Sequence, residues 1–375
     1  MKNKLFSFIK SQAVLCIAFV LACTTMFIVP PTVEYIDYIN FSTLILLFSL
    51  MGAVAGFNKC GIFQRLSDLI VKKCKSIRMI AFLLINICFF SSMFITNDVA
   101  LLTFVPVTVL LFEGVKYKNR FPLIFTVVLE TVAANLGSML LPTGNPQNIY
   151  LCSYFGILPF TLIKTLFPFG VLSYILLSIS VLFLPKTEIS SVNNSGKNSN
   201  DFSWITVIFC TAIFVISLLT VSGIINEYIC LIVSLILILA SGTEIFGKID
   251  YSLIFTFVFF FVFVGNLGNI ATVRDFLSNI INGKEIIISV LSSQIFSNVP
   301  AAILLSGFTD KAEFLLIGTN IGGLGTPIAS LASLISFRLY MGSKEASAGK
   351  YMSVFLLYNF IFQLILCLLC TVLVK

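Results

Sequence analysis

Two short polar clusters interrupt long apolar runs, and their residue types suit the binding of small ions. The first cluster is Thr96-Asn97-Asp98, and the second is Ser297-Asn298-Val299. In both, a hydroxyl residue is followed by an asparagine. Hydroxyl and amide groups donate hydrogen bonds to anions and offer oxygen ligands to cations. We therefore interpret both clusters as candidate ion-binding positions.

A second pair of interruptions adds glycine and proline to the amide residues. They lie around Pro142 and around Pro327. Proline removes a helical hydrogen bond, and irregular backbone at membrane depth must lie against protein or a water-filled cavity. We predict two transmembrane helices that break inside the membrane. The candidate substrate- and ion-binding residues from all four clusters are Thr96, Asn97, Asp98, Asn135, Gly137, Thr143, Gly144, Asn145, Ser297, Asn298, Asn320, Gly322 and Thr326.

Two carboxylates, Asp98 and Glu130, lie within these apolar segments. An ionisable side chain at membrane depth is costly, so both are candidates for coupling transport to a sodium ion or a proton. The aligned residues in the second half of the chain are Val299 and Leu315. An alternative is that Asp98 caps a helix and that Glu130 hydrogen-bonds to a neighbouring helix or lies nearer the membrane surface.

The other candidates also have structural interpretations. Asn97 and Asn298 are suited to capping helices, because an asparagine side chain accepts hydrogen bonds from a helix N-terminus. Gly137 and Gly322 are suited to close helix packing in a membrane. The paired placement of these residues in the two halves favours a binding site.

The composition predicts that helices crossing a membrane position these clusters. Hydrophobic residues make up 58% of the chain, charged residues make up 10%, and the mean hydropathy is +1.07. Apolar runs of about 17–25 residues are long enough to cross a bilayer. We expect an all-α polytopic protein of the cytoplasmic membrane, with the lipid bilayer as its surroundings and about nine to ten full spans. Lys2, Lys4 and Lys10 precede the first span and predict a cytoplasmic N-terminus.

The clusters recur in the same order in two halves of the chain. Ser297-Asn298 follows Thr96-Asn97 by 201 residues, and Asn320 follows Asn135 by 185 residues. Counting crossings from a cytoplasmic N-terminus gives the halves opposite orientations, so we predict inverted repeats. The predicted first half covers 1–185 and contains a re-entrant hairpin at 79–112 and a broken helix at 122–151. A cytoplasmic linker follows at 186–201. The predicted second half covers 202–375 and contains a hairpin at 285–308 and a broken helix at 314–340.

Several classes of function are disfavoured by what the sequence lacks. It has no histidine, which excludes histidine-dependent catalytic triads, and no phosphate-binding loop motif, so nucleotide hydrolysis is not expected. Its ten cysteines lack metal-ligand spacing, so no metal site or cofactor is expected. The basic residues do not form a stripe, so no nucleic-acid partner is expected. We expect neither an enzyme nor a pump driven by nucleotide hydrolysis.

The two hairpin clusters and the two interrupted helices together resemble the ion transporter superfamily. That superfamily holds divalent anion/sodium symporters, citrate transporters, arsenite-efflux permeases and a class of sodium/proton antiporters. In the symporters, a Ser-Asn-Thr tripeptide at each hairpin tip contacts the substrate carboxylate and helps to bind sodium. This chain keeps the hydroxyl and the asparagine but has Asp98 and Val299 at the third position. A negative Asp98 repels a dianion unless it is protonated or paired with a cation.

The resemblance implies a homodimer in which the hairpin domain moves like an elevator against a scaffold. We predict a secondary active transporter that moves a small anion by alternating access, coupled to sodium or protons. Di- or tricarboxylates such as citrate or succinate are placed slightly ahead of inorganic oxyanions. The alternatives are a sodium/proton antiporter that uses Asp98 and Glu130, and an arsenite-efflux permease.

Overall fold

The computed structural model describes residues 12–61, 76–113, 121–186, 203–344 and 346–373. The basic N-terminal residues Lys2, Lys4 and Lys10 lie outside these ranges. Most of the predicted linker, from residue 187 to residue 201, also lies outside them.

Every regular element of the described residues is a helix. Those of the first half are α1 (Ala13–Met26), α2 (Tyr35–Tyr38), α3 (Phe41–Lys59), α4 (Ile77–Ile95), α5 (Asn97–Glu113), α6 (Phe121–Ser138), α7 (Pro146–Phe155) and α8 (Pro159–Val181). Those of the second half are α9 (Trp204–Val221), α10 (Glu227–Ser241), α11 (Tyr251–Asn269), α12 (Ala271–Ile281), α13 (Glu285–Phe296), α14 (Asn298–Ser306), α15 (Ala312–Gly322), α16 (Leu331–Met341) and α17 (Ala348–Leu373). Short 3₁₀ turns lie at Pro142–Gly144, Thr243–Lys248 and Pro327–Ala329.

Local sequence explains where several helices begin. The side chains of Asn40, Ser76 and Ser203 each accept a hydrogen bond from the backbone N–H three residues later. Such caps satisfy one of the N–H groups that a helix leaves without a partner at its start. Apolar runs then carry the helices to membrane-spanning length. Seven helices of the described chain are long and apolar enough to cross a membrane, which confirms a polytopic all-α protein.

The predicted hairpins and broken helices are present with small shifts of their ends. The first hairpin is α4–α5 and turns at Thr96, and the second is α13–α14 and turns at Ser297. The first broken helix is α6–α7 and the second is α15–α16. The breaks cover residues 139–145 and 323–330.

The packing of these elements repeats between the two halves. Helix α4 packs along α6 as α13 packs along α15. The second arm of each hairpin crosses to the other half, since α5 contacts α16 and α14 contacts α7. Helix α6 is buried from Pro122 to Ser138. The broken helices and hairpin arms therefore form the core, and the longer spans surround them.

Candidate binding site at the hairpin tips and broken helices

The two hairpin tips share an unusual backbone conformation. Thr96 has φ 68° and ψ 151°, and Ser297 has φ 75° and ψ 154°. They are the non-glycine residues with positive φ in the described part of the chain. This region is nearly restricted to glycine, and a residue held there costs about 1–3 kcal/mol. Such strain persists where the surroundings enforce it, and it marks both tips as candidate functional positions.

Four helices begin in the protein interior at these tips and breaks. Helix α5 begins at Asn97 and α14 at Asn298, both almost fully buried. Helices α7 and α16 begin directly after buried Asn145 and Ser330. The first turn of a helix has N–H groups without helical partners and carries partial positive charge. The interior can thus attract an anion without a buried basic residue.

Asn135 joins the first broken helix to the second. Its Oδ1 accepts hydrogen bonds from Asn97 Nδ2 at 3.0 Å and from Ser330 Oγ at 3.0 Å. Its Nδ2 donates to Ser333 Oγ at 3.4 Å. One asparagine therefore connects the first hairpin tip, α6 and the start of α16.

Asn320 makes the matching connection from the other half. Its Oδ1 accepts from Asn145 Nδ2 at 2.9 Å, and its Nδ2 donates to Asn148 Oδ1 at 2.7 Å. Asn145 and Asn148 precede Ser330 and Ser333 by 185 residues, the separation of Asn135 from Asn320. Asn135 and Asn320 thus make matching buried contacts between the two halves, and Asn135 also bonds to the hairpin tip at Asn97. Sequence reasoning missed Asn148, Ser330 and Ser333 as site residues, although the constant separation points to both serines.

A cavity of about 800 Å³ reaches the first hairpin tip. Of the candidate residues from the sequence, Thr96 and Asp98 line it. Its walls are mainly apolar side chains of α3 and α5, together with Pro146 and Ile149 at the start of α7. The second tip is not part of this lining, and Ser297 is only 3% exposed. The cavity therefore opens onto one of the two matching tips.

Charged residues surround the exposed mouth of the cavity. Lys59 Nζ lies 2.7 Å from Glu244 Oε1 and donates a hydrogen bond of 2.7 Å to Ser241 O. The hydrogen bond from Lys59 lowers the pKa of Glu244. Lys248 and Asp250 complete the charged lining. With Asp98 included, the lining holds two lysines and three carboxylates, so a polyanion entering alone meets no excess of positive charge.

Glu130 lies away from this cavity. Its side chain is fully buried, and its Oε1 accepts a hydrogen bond of 2.6 Å from Thr108 Oγ1. Cys88 Sγ lies 3.8 Å from the same oxygen, and Oε2 has no hydrogen-bond partner. Glu130 therefore has the neighbouring-helix hydrogen bond considered from the sequence, and it does not line the cavity with Asp98.

The candidate glycines lie at close contacts between helices. A Cβ on Gly137 would lie 2.7 Å from Ser92 Oγ, and one on Gly322 would lie 2.5 Å from Ser293 Oγ. A Cβ on Gly144 would overlap the backbone of Ser138. Gly137 and Gly322 therefore allow the first arm of each hairpin to approach its broken helix closely.

The two candidate threonines hold each break against its hairpin. Thr143 Oγ1 donates to the backbone oxygen of Met93 at 3.3 Å, and Thr326 Oγ1 donates to that of Gln294 at 3.3 Å. Asn298 lies beside the second break, where a Cβ on Gly323 would lie 2.8 Å from Asn298 Nδ2. Within the described residues, no group of three or more Cys, Asp or Glu side chains is placed to hold a metal ion.

Comparison with known proteins supports a transporter. The chain is 35% identical to an uncharacterized transporter of Methanocaldococcus jannaschii over 312 residues, covering 83% of this chain and 84% of that protein. It is 28% identical to the inner membrane protein YbiR of Escherichia coli over 80% of each chain. A crystal structure of the Alcanivorax borkumensis YdaH transporter shares the fold, with a TM-score of 0.56, 13% identity, and coverage of 91% of this chain and 87% of that one. The model of the citrate transporter family matches residues 5–313, and the chain belongs to that family.

Proposed function

We propose that this protein is a secondary active transporter that moves a small anion together with a coupling cation by alternating access. The observation that carries the proposal is the start of α5 beside the cavity, with Asp98 in its first turn and Pro146, at the start of α7, in the same lining. Helix N-termini attract the anion, and a carboxylate at the same place attracts a sodium ion or a proton. Discontinuous helices that meet in this way form the substrate sites of many secondary transporters.

The charges of the cavity explain why the cation is needed. Asp98 stands in the first turn of α5, beside the helix end that would receive the anion. A di- or tricarboxylate such as citrate or succinate, or an inorganic oxyanion, would be repelled by an ionised Asp98. Sodium binding or protonation at Asp98 removes this repulsion. Entry of the anion and of the cation is then coupled by electrostatics.

Sodium/proton antiport is the second candidate, and a specific observation favours it. Asp98 and Asp250 line the same cavity, and carboxylates in a membrane protein commonly mark proton and cation pathways. In this alternative, Asp98 exchanges a proton for a sodium ion and no anion moves. Glu130 has a smaller part in both candidates, since it is outside the cavity lining.

The positive-inside rule orients the cavity. Helix α3 ends at Lys59, at the mouth of the cavity, and a basic segment follows it in the sequence. Short basic loops remain in the cytoplasm, so we place this mouth and the N-terminus on the cytoplasmic side of the cytoplasmic membrane. We also propose a homodimer, on the resemblance noted in the sequence.

The test is solute uptake into proteoliposomes with citrate, succinate and phosphate under an imposed sodium or proton gradient. We expect accumulation of at least one anion under one gradient. Asp98→Asn should abolish gradient-driven accumulation while leaving exchange of labelled for unlabelled anion. Asp275→Asn is the matched control, since Asp275 is exposed on α12 beside Arg274. An Asp98→Asn protein that accumulates anion like the wild type would overturn the role of Asp98.

The same vesicles separate the two candidates. A pH-sensitive dye inside them reports proton flux on addition of sodium without any anion substrate. Proton flux that Asp98→Asn abolishes, together with no anion uptake under either gradient, would replace the anion transporter with the antiporter.

A further inference from the structure

Gln294, on the first arm of the second hairpin, bridges the break in the second broken helix. Its Nε2 donates hydrogen bonds of 2.9 Å to both Gly322 O and Leu324 O, and of 3.2 Å to Val290 O of its own helix. Its Oε1 accepts a hydrogen bond of 2.8 Å from Thr326 N. A single carboxamide thus contacts both sides of the interruption.

This arrangement replaces a missing helical hydrogen bond. In an unbroken helix, the N–H of Thr326 would donate to the carbonyl of Gly322, four residues earlier. The carboxamide of Gln294 stands between these two groups and bonds to each. Gly325 provides the space: it has φ 101°, and a Cβ there would lie 2.9 Å from the carboxamide carbon of Gln294.

A second glutamine adds to the same contacts. Nε2 of Gln363, on α17, donates to Ile321 O at 3.4 Å and to Leu324 O at 3.2 Å. Amide donors therefore occupy the carbonyl oxygens at the end of α15. In transporters with discontinuous helices, carbonyls freed at such ends are ligands for coupling cations.

We propose that Gln294 takes the place of a coupling cation in the second half of this protein. Its NH₂ group lies among the three backbone oxygens of Val290, Gly322 and Leu324, as a monovalent cation would. The side chain is tethered, so this position is filled in every conformation that keeps α13 against α15. The second half then needs no cation from the gradient.

The first half lacks this device. The residue equivalent to Gln294 is Met93, and the residue equivalent to Gly325 is Leu140. Met93 provides only its backbone oxygen, which accepts from Thr143. The Met139 and Leu141 carbonyls instead accept from Asn148, which is on the broken helix itself rather than on the hairpin. We assign the gradient cation to the first half because the Asp98 carboxylate lines the cavity there, and its binding should be non-cooperative.

Gln294→Glu tests the proposal by keeping the shape of the side chain and removing the donor. The ionised glutamate would face Gly322 O and Leu324 O with an acceptor, so a bound alkali cation is needed to bridge these oxygens. The titration is made in alkaline buffer, because a neutral carboxyl group could bridge them with its own proton. We expect the Tm of the purified variant in choline chloride to fall by several degrees below that of the wild type. Sodium, lithium or potassium chloride should restore it saturably. Asn359→Asp is the matched control, since buried Asn359 donates only to Phe355 O of its own helix. The decrease in Tm of Asn359→Asp should be the same in every salt.

A Gln294→Glu protein whose Tm equals that of the wild type in choline, or whose loss no alkali cation restores beyond choline, would overturn the proposal. If Gln294→Glu does not fold, Gln294→Met is the second variant, because methionine is the residue that the first half has at the equivalent position, Met93, and it adds no charge. Alkali cations should raise the Tm of Gln294→Met above its value in choline chloride, whereas they should not raise that of the wild type. A Gln294→Met protein without that increase would also overturn it. The role of Gln294 in transport rests on the proposed cation coupling. The Tm titrations do not depend on transport, so the proposal for Gln294 and the proposed function can fail separately.

Discussion

At the scale of single residues, the asparagines stand out in the sequence, whereas their hydroxyl partners are marked only by a constant separation from Asn145 and Asn148. Asn135 and Asn320 are amides in apolar runs at matching places in the two halves, so each stands out. Ser330 and Ser333 do not stand out, because most serines in membrane helices bond to a carbonyl of their own helix. Ser173 and Ser217 do so in this structure. Only the position of α16 beside α6 reveals that Ser330 donates to Asn135 instead.

Replacing Asn320 with alanine should destabilise the protein more than an equivalent change elsewhere in the core. The change leaves Asn148 Oδ1 without its donor, whereas Asn145 Nδ2 loses one acceptor and keeps Ser138 Oγ at 3.3 Å. Each buried polar group left without a partner costs about 1–3 kcal/mol. Thermal unfolding of the purified protein measures the loss. Asn359→Ala is the control, and equal losses in the two variants would contradict the cross-linking role of Asn320.

At the scale of elements, composition and punctuation predicted the hairpins and breaks closely. The first hairpin was expected at 79–112 and is α4–α5, and the first broken helix was expected at 122–151 and is α6–α7. Proline and glycine mark such interruptions directly. The strained tips were not predictable, because neither threonine nor serine favours positive φ. The surrounding helices impose that conformation on Thr96 and Ser297.

Thr96→Gly should unfold at a higher temperature than Thr96→Ala. Glycine adopts φ 68° without strain, whereas alanine keeps the strain and loses the hydroxyl. Relief of about 1–3 kcal/mol of strain exceeds the added chain entropy of glycine, about 0.5–1 kcal/mol. Both variants should transport more slowly than Thr96→Ser, because the hydroxyl at the cavity is gone. An alanine variant as stable as the glycine variant would show that the tip is not strained.

At the scale of the whole molecule, the two-fold order of clusters was visible in the sequence, whereas the one-sided cavity was not. The constant separations predicted which elements correspond. These separations contain no information about which hairpin tip is open, since that depends on how α3 and the Thr243–Lys248 turn lie across the cavity from α5. The Lys59–Glu244 ion pair at the mouth joins residues far apart in the chain, and such pairings lie beyond sequence periodicity.

The exposure of one hairpin tip but not the other, and the predicted inverted orientation of the two halves, can be tested together by cysteine accessibility. In a variant lacking its ten native cysteines, single cysteines replace Thr96, Ser297 or, at the cavity mouth, Asn58. Thr96→Cys and Asn58→Cys should react with a membrane-impermeant maleimide applied from the cytoplasmic side, because both positions line the cavity. Ser297→Cys should be protected in this conformation, since Ser297 is 3% exposed. Under conditions that drive transport, Ser297→Cys should be labelled from the side opposite the cytoplasm only. Labelling of Thr96→Cys from the cytoplasmic side should fall at the same time. Labelling of both tips from one face, at rates that transport does not change, would mean that the halves are not inverted and that the cavity is not one end of an alternating pathway.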